Sequence, residues 1–138
     1  MYTAELSLKT SGEGDFIDLT PRINKIVSES GVLSGIISLF VEGSTAALTT
    51  IEFEPGVLSD LKRSLSAISP ADIPYEHDRA WGDGNGRSHV KAALVGPSLT
   101  VPVRKGAMKL GTWQQVVLLE LDIRDSRTRT VHCTVIGE

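Results

Sequence analysis

Residues 114–121, QQVVLLEL, carry apolar side chains on both faces of a strand. Successive strand side chains point to opposite sides, so such a run must be covered twice, by helices, a second sheet or another subunit. VLSGIISLFV (32–41) is β-branched-rich and apolar on both faces too, and reads as a central strand. After the EGS break, AALTTIEFE (46–54) reads as its hairpin partner, ended by Pro55-Gly56. Upstream, Tyr2, Ala4, Leu6 and Leu8 alternate with Thr3, Glu5, Ser7 and Lys9, the pattern of a half-buried strand, and a short second strand follows around Phe16 to Leu19. Thr20-Pro21 reads as N-cap and first position of a helix whose stripe is Ile23, Ile26 and Val27 and whose end is Gly31.

A second helix is marked by Leu58, Leu61, Leu65 and Ile68 at helical spacing. In SHVKAALVG (88–96) the paired alanines, a serine cap and the terminal glycine favour a short helix over a strand. The remainder reads as antiparallel strands, SLTVPV, AMKLGTWQQVVLLELD and RTRTVHCTVIG, with Lys105-Gly106 as a hairpin turn. The sum is one α+β domain over residues 1–138, mainly antiparallel sheets with two main helices and a short third. The two doubly apolar strands offer more surface than two short helices easily cover, which favours a subunit interface.

The chain has 14 basic and 17 acidic side chains, a formal charge of −3. That balance argues against a nucleic-acid partner, which would call for a basic surface. The single cysteine, Cys133, excludes an intrachain disulfide and fits a reducing compartment. MYTAELSLKT lacks the basic start and apolar core of a signal peptide, and no apolar run approaches the roughly 20 residues of a spanning helix. A cytoplasmic protein without membrane contact is expected.

PYEHDRAWGDGNGRSHV (74–90) holds His77 and His89 twelve residues apart, with Asp78, Asp83 and Asn85 between them. Imidazoles with a carboxylate suit a divalent cation, and the same groups could move protons near neutral pH. The other reading is a hydrogen-bonded surface loop. Glu52, read inside an apolar strand, is either a metal ligand or general base, or a solvent-facing acid. Trp113 beside Gln114 could stack on and hydrogen-bond a heterocycle, or belong to the core or an interface, and Trp81 admits the same alternatives. Arg124, Arg127 and Arg129 suit phosphate, or guard an exposed edge strand. His132 reads as structural and Cys133 as a buried, inert thiol.

Several of these stretches together resemble one family, the YjbQ-like proteins, also called secondary thiamine-phosphate synthases. The resemblance runs through STAALTTIE (44–52), Asp60, YEHD (75–78), SHVKAALVGPSLTVPV (88–103), KG (105–106), GTWQ (111–114), Glu120 and the closing GE. It implies a homotrimer, and an activity that joins a pyrimidine methyl diphosphate to a thiazole phosphate with release of pyrophosphate. It also implies Glu52, Asp60, His77 and His89 as catalytic and Thr45, Asp78, Ser88, Trp113 and Gln114 as substrate-binding. On physical grounds a divalent metal, zinc or magnesium, held by His77 and His89 would suit the task of holding the diphosphate. Many members have a histidine where this chain has Ser44. A metal-dependent phosphoester or diphosphate hydrolase and a non-catalytic trimeric binder of a phosphorylated metabolite are the competing functions.

Overall fold

In the computed structural model, which describes residues 1–138, the doubly apolar stretch forms a strand in the middle of a three-stranded sheet. The elements run β1 (Tyr2–Thr10), β2 (Phe16–Asp18), α1 (Thr20–Ser30), β3 (Ser34–Val41), β4 (Ala46–Ile51), α2 (Pro55–Ile68), α3 (Glu76–Trp81), α4 (Gly86–Val95), β5 (Ser98–Arg104), β6 (Ala107–Met108), β7 (Gln115–Glu120) and β8 (Arg127–Gly137). Two antiparallel sheets result, β1-β8-β3-β5-β6 and β2-β7-β4.

The alternation of β7 explains how they stack. Val116 and Leu118 join the larger core, shared with Ile37, Leu39 and Val41 of β3, Val131, Cys133 and Val135 of β8, and the α1 stripe Ile23, Ile26 and Val27. Val117 and Leu119 point the other way, into a second core with Ala47, Leu65 of α2 and Ala92 of α4. The double coverage demanded by QQVVLLEL is thus supplied within one chain, by a sheet on one side and helices on the other. Each fully buried aliphatic side chain contributes roughly 1.5–3 kcal/mol. The outer face of the larger sheet stays open, leaving Ile36, Phe40 and Ile136 exposed.

Several local expectations are corrected. The 46–54 segment is not the hairpin partner of β3, whose two edges are taken by β8 and β5. It pairs with β7 instead, because Ala46, Ala47 and Leu48 are all buried and need a strand covered on both faces. Pro55 opens α2 rather than closing a strand, since the Glu54 carboxylate caps it by accepting from the N–H groups of Gly56 and Val57. Thr20 is no cap: its hydroxyl accepts from the N–H of Val116, tying α1 to β7. Ser88 lies inside α4, which starts two residues earlier. GTWQ is a turn before β7, and β8 is an interior strand, so its arginines guard no edge.

The Lys105-Gly106 turn is present, with φ of 52° and 75° as a two-residue hairpin requires. At Gly35 the constraint is space: an added Cβ would meet the Ile136 carbonyl oxygen at 2.0 Å. Gly35→Ala is therefore expected to cost about 1–3 kcal/mol by overpacking the β3–β8 seam, read as a lower urea midpoint with unchanged slope.

Candidate functional site

The histidine segment folds as helix, turn, helix. His77 and Asp78 occupy the first turn of α3, where the acid faces the positive helix end. Gly82 closes α3 in the left-handed conformation. Gly86 must be glycine for a different reason, since a Cβ there would meet the Tyr75 Cβ at 2.5 Å. That close approach lets the Asp78 carboxylate accept from the Gly86 N–H at 2.9 Å and brings the second helix back over the first. As a result the His77 and His89 ring centroids lie 4.4 Å apart, their planes tilted by 54°.

Asp83 completes the cluster. Its Oδ1 accepts from the Asn85 N–H at 3.0 Å, and its Oδ2 lies 3.2 Å from His77 Nε2. The Asn85 N–H is the main cause that holds the Asp83 carboxyl below its usual range, with His77 adding to it. With Nε2–H donated to Asp83, His77 keeps its Nδ1 lone pair for a cation. Ligand atoms of His77, Asp78 and Asp83 all lie within 4.8 Å of one another. Two bonds of about 2.1 Å to zinc span roughly 4.2 Å, so these donors fit a divalent cation after a small side-chain adjustment, whereas His89, expected as the second imidazole ligand, is not among the donors already gathered within that distance.

Beneath the cluster runs a buried polar network. Asn85 Oδ1 accepts from the Ser88 hydroxyl and the Ile123 N–H, while its Nδ2 donates to Asp122. Asp122 also accepts from the Thr45 hydroxyl, the Arg124 N–H and Arg127 Nη1. Thr45 in turn accepts from Arg129, whose guanidinium grips Glu120 through Nε at 2.8 Å and Nη2 at 2.6 Å. Arg129 and Glu120 are 1% and 0% exposed, so this is a fully internal ion pair. The Thr45 and Ser88 hydroxyl protons are thereby committed to holding the floor of the site. Sequence reasoning overlooks Asp122, although an acid directly after a doubly buried strand was the available signal.

Burial pushes the Asp122 carboxyl upward, but the Arg124 N–H, Thr45, Asn85 and the Arg127 guanidinium outweigh it and leave it below the ordinary value. A depressed carboxyl adds stability that is complete above the unfolded value, near 3.9, and fades as pH falls through the folded one. Unfolding free energy is accordingly expected to drop below about pH 4, and Asp122→Asn to flatten that part of the urea-unfolding profile.

Two hollows meet at His89. One, of about 260 Å³, is wholly polar and is lined by Ser44, Thr45, Asp83, Asp122, Arg124 and Arg127. The other, of about 390 Å³, has Ala46, Ala92, Ala93 and Pro97 on its walls and shares Gly43, Ser44 and His89 with the first. Ser44 therefore stands opposite the imidazole.

The remaining candidates lie elsewhere. Thr45 precedes β4 and Glu52 follows it, so they sit at opposite ends of a six-residue strand, about 23 Å apart at roughly 3.3 Å per residue. Glu52 is exposed beyond the strand rather than embedded in it. Gln114 donates to the Thr50 hydroxyl at that far end, and Trp113 beside it is 71% exposed. Asp60 pairs with Arg63 on the open side of α2. Of the arginine trio, Arg129 is internal, whereas Arg124 and Arg127 line the polar hollow. His132 lies on the open sheet face between Glu5 and Glu42, at 3.5 and 3.6 Å. Cys133 is buried, and burial pushes its thiol up to about 11. No helix is long and apolar enough to cross a membrane.

These features define a two-sheet α+β domain with an imidazole–carboxylate centre where a polar and an apolar hollow meet. The sequence profile of the UPF0047 protein YjbQ-like family matches residues 4–138. A UPF0047 protein of Methanothermobacter thermautotrophicus is 39% identical over all of this chain and 94% of its own. YugU of Bacillus subtilis is 33% identical over 96% of this chain and 97% of its own. Among solved structures, a Sulfolobus solfataricus YbjQ-like protein of unknown function superposes with a TM-score of 0.88 at 32% identity, covering 99% and 97% of the two chains. The hypothetical protein APE1520 of Aeropyrum pernix gives 0.90 at 29% identity over the full length of both. The chain belongs to the YjbQ-like, UPF0047 family.

Proposed function

We propose that the chain is a cytoplasmic enzyme acting on a phosphorylated small molecule, joining a pyrimidine methyl diphosphate to a thiazole phosphate. The observation that carries this reading is the position of His89, its ring 4.4 Å from that of His77, between a polar hollow with Arg124 and Arg127 and an apolar one. An organic diphosphate has that division: its charged end suits the arginines, and its ring suits the walls of Ala92, Ala93 and Pro97. The C–O bond to the diphosphate breaks with its electron pair leaving on pyrophosphate, and the thiazole nitrogen supplies the pair for the new C–N bond. Arg124 and Arg127 face the departing charge, and His89 stands at the carbon that becomes cation-like. His77 and His89, with Asp78, would hold a divalent cation, which when bound adds positive charge at the diphosphate. Asp83 orients His77, and the Asn85–Asp122 network fixes the turn between the helices that carry the two histidines.

A metal-dependent phosphoester or diphosphate hydrolase is the second reading, favoured by the part-exposed setting of His77 and Asp83, which admits water. Supplying both substrates with magnesium or zinc and following phosphorus NMR separates the readings. Thiamine phosphate with pyrophosphate supports the synthase, and uncoupled hydrolysis supports the hydrolase, either as pyrophosphate with the pyrimidine alcohol or as orthophosphate with the pyrimidine methyl monophosphate or the thiazole alcohol. Neither product, with substrate-dependent thermal stabilisation, would leave a binding protein.

The same reading includes a homotrimer. The uncovered sheet face with Ile36, Phe40 and Ile136, and the exposed Trp113, are surfaces a second copy would bury. Assembly would also offer Glu52, Trp113 and Gln114 of one copy to the histidines of another. Sedimentation at three chain masses is the expected result.

A further inference from the structure

We propose that the hollow between α2 and α4 is a separate anion site, built for a small phosphate monoester. Lys91 lies on the inner side of α4 with its stem packed, the residue only 5% exposed, and its ammonium, which makes no hydrogen bond or ion pair with the chain, opens into the water of the hollow. A lysine held this way cannot swing its charge out to bulk solvent, so the ammonium is fixed at the wall of the hollow. The closest candidate partner, Glu13, is committed to Arg87, whose Nε donates to it at 3.0 Å. Burial lowers the Lys91 pKa, and Glu13 opposes this only from a distance. A second ammonium, that of Lys62, reaches the same hollow, poised 5.0 Å above the Phe16 ring and likewise without an acidic partner. Two ammonium groups with no acidic partner of their own face one space, which Glu13, its charge matched by Arg87, also lines.

The rest of the lining narrows the ligand. Ser66 adds a hydroxyl that makes no hydrogen bond within the chain, and Leu65 and Leu121 give an apolar floor. The volume is about 210 Å³, roughly seven times the 30 Å³ share of one water in the liquid. That admits phosphate bearing a short carbon skeleton and excludes a nucleotide. Two ammonium groups match a dianion better than a monocarboxylate, and the apolar floor takes the organic part. No lining residue is shared with either hollow at His89, so the site does not rest on the proposed synthase reading.

The test is a titration with inorganic phosphate followed by the backbone amide signals of Gly14, Ser66 and Leu121, with acetate as the monoanion control. Wild-type protein is expected to show saturable shifts at these amides, with acetate at least tenfold weaker. Lys91→Met and Lys62→Met should each weaken phosphate at least tenfold, whereas a His77→Ala/His89→Ala variant should leave these shifts intact. Lys62 is exposed, so its variant keeps the test valid whatever Lys91→Met does to folding. The proposal is overturned if the three amides do not respond to phosphate, or respond equally in both lysine variants.

Discussion

Glu120→Ala is expected to remove about 3–5 kcal/mol of stability, because it strands the Arg129 guanidinium in the interior. A domain of this size is usually stable by only about 5–15 kcal/mol, so the variant should be largely unfolded at mild urea. Arg129 is 1% exposed, and its only acidic partner within ion-pair distance is Glu120. Its other hydrogen bond goes to Thr45, which relays to Asp122 and Asn85. The loss should therefore also loosen the start of α4, which carries His89, visible as faster amide exchange at Asn85 and Ser88. Glu120→Leu/Arg129→Met should cost far less than the sum of the single changes, since an apolar pair leaves no lone charge. Additive costs in that cycle would mean that the pair is not coupled as the geometry requires.

The second large effect falls on metal affinity rather than stability. His77 and His89 are only half-buried, so alanine at either should move unfolding by about 0.5 kcal/mol or less. Each removes an imidazole donor, however, and Asp83→Asn removes the carboxylate that orients His77. Loss of such an outer partner typically lowers metal affinity by about 10–100-fold. Competition with a chromogenic chelator should rank wild type above Asp83→Asn, and Asp83→Asn above either histidine variant. An Asp83→Asn variant as weak as the histidine variants would make Asp83 a direct ligand instead.

Much of the fold was legible because burial leaves a period in the sequence. The α1 stripe, the doubly apolar β7 and the Lys105-Gly106 turn all follow from local pattern. The sheet assignment of β4 was not, since its apolar run pairs equally well with either neighbour until both edges of β3 are seen to be occupied. Charge reading failed at Arg129 for a related reason. Its partner Glu120 stands nine residues away across a loop, and only the fold separates it from Arg124 and Arg127. Within the candidate site, the histidine pair was suggested by composition, but the 4.4 Å approach depends on Gly86 packing against Tyr75. Glu52 and Trp113 carried chemistry in their residue types alone, and the fold of one chain sets them at the far end of the small sheet.

Metal content of the purified protein, measured by mass spectrometry beside the His77→Ala/His89→Ala variant, tests the central claim most directly. Near-stoichiometric divalent metal in the wild type, and none in an equally folded double variant, is the predicted result. Metal retained by that variant, or absent from the wild type after supplementation, would contradict it.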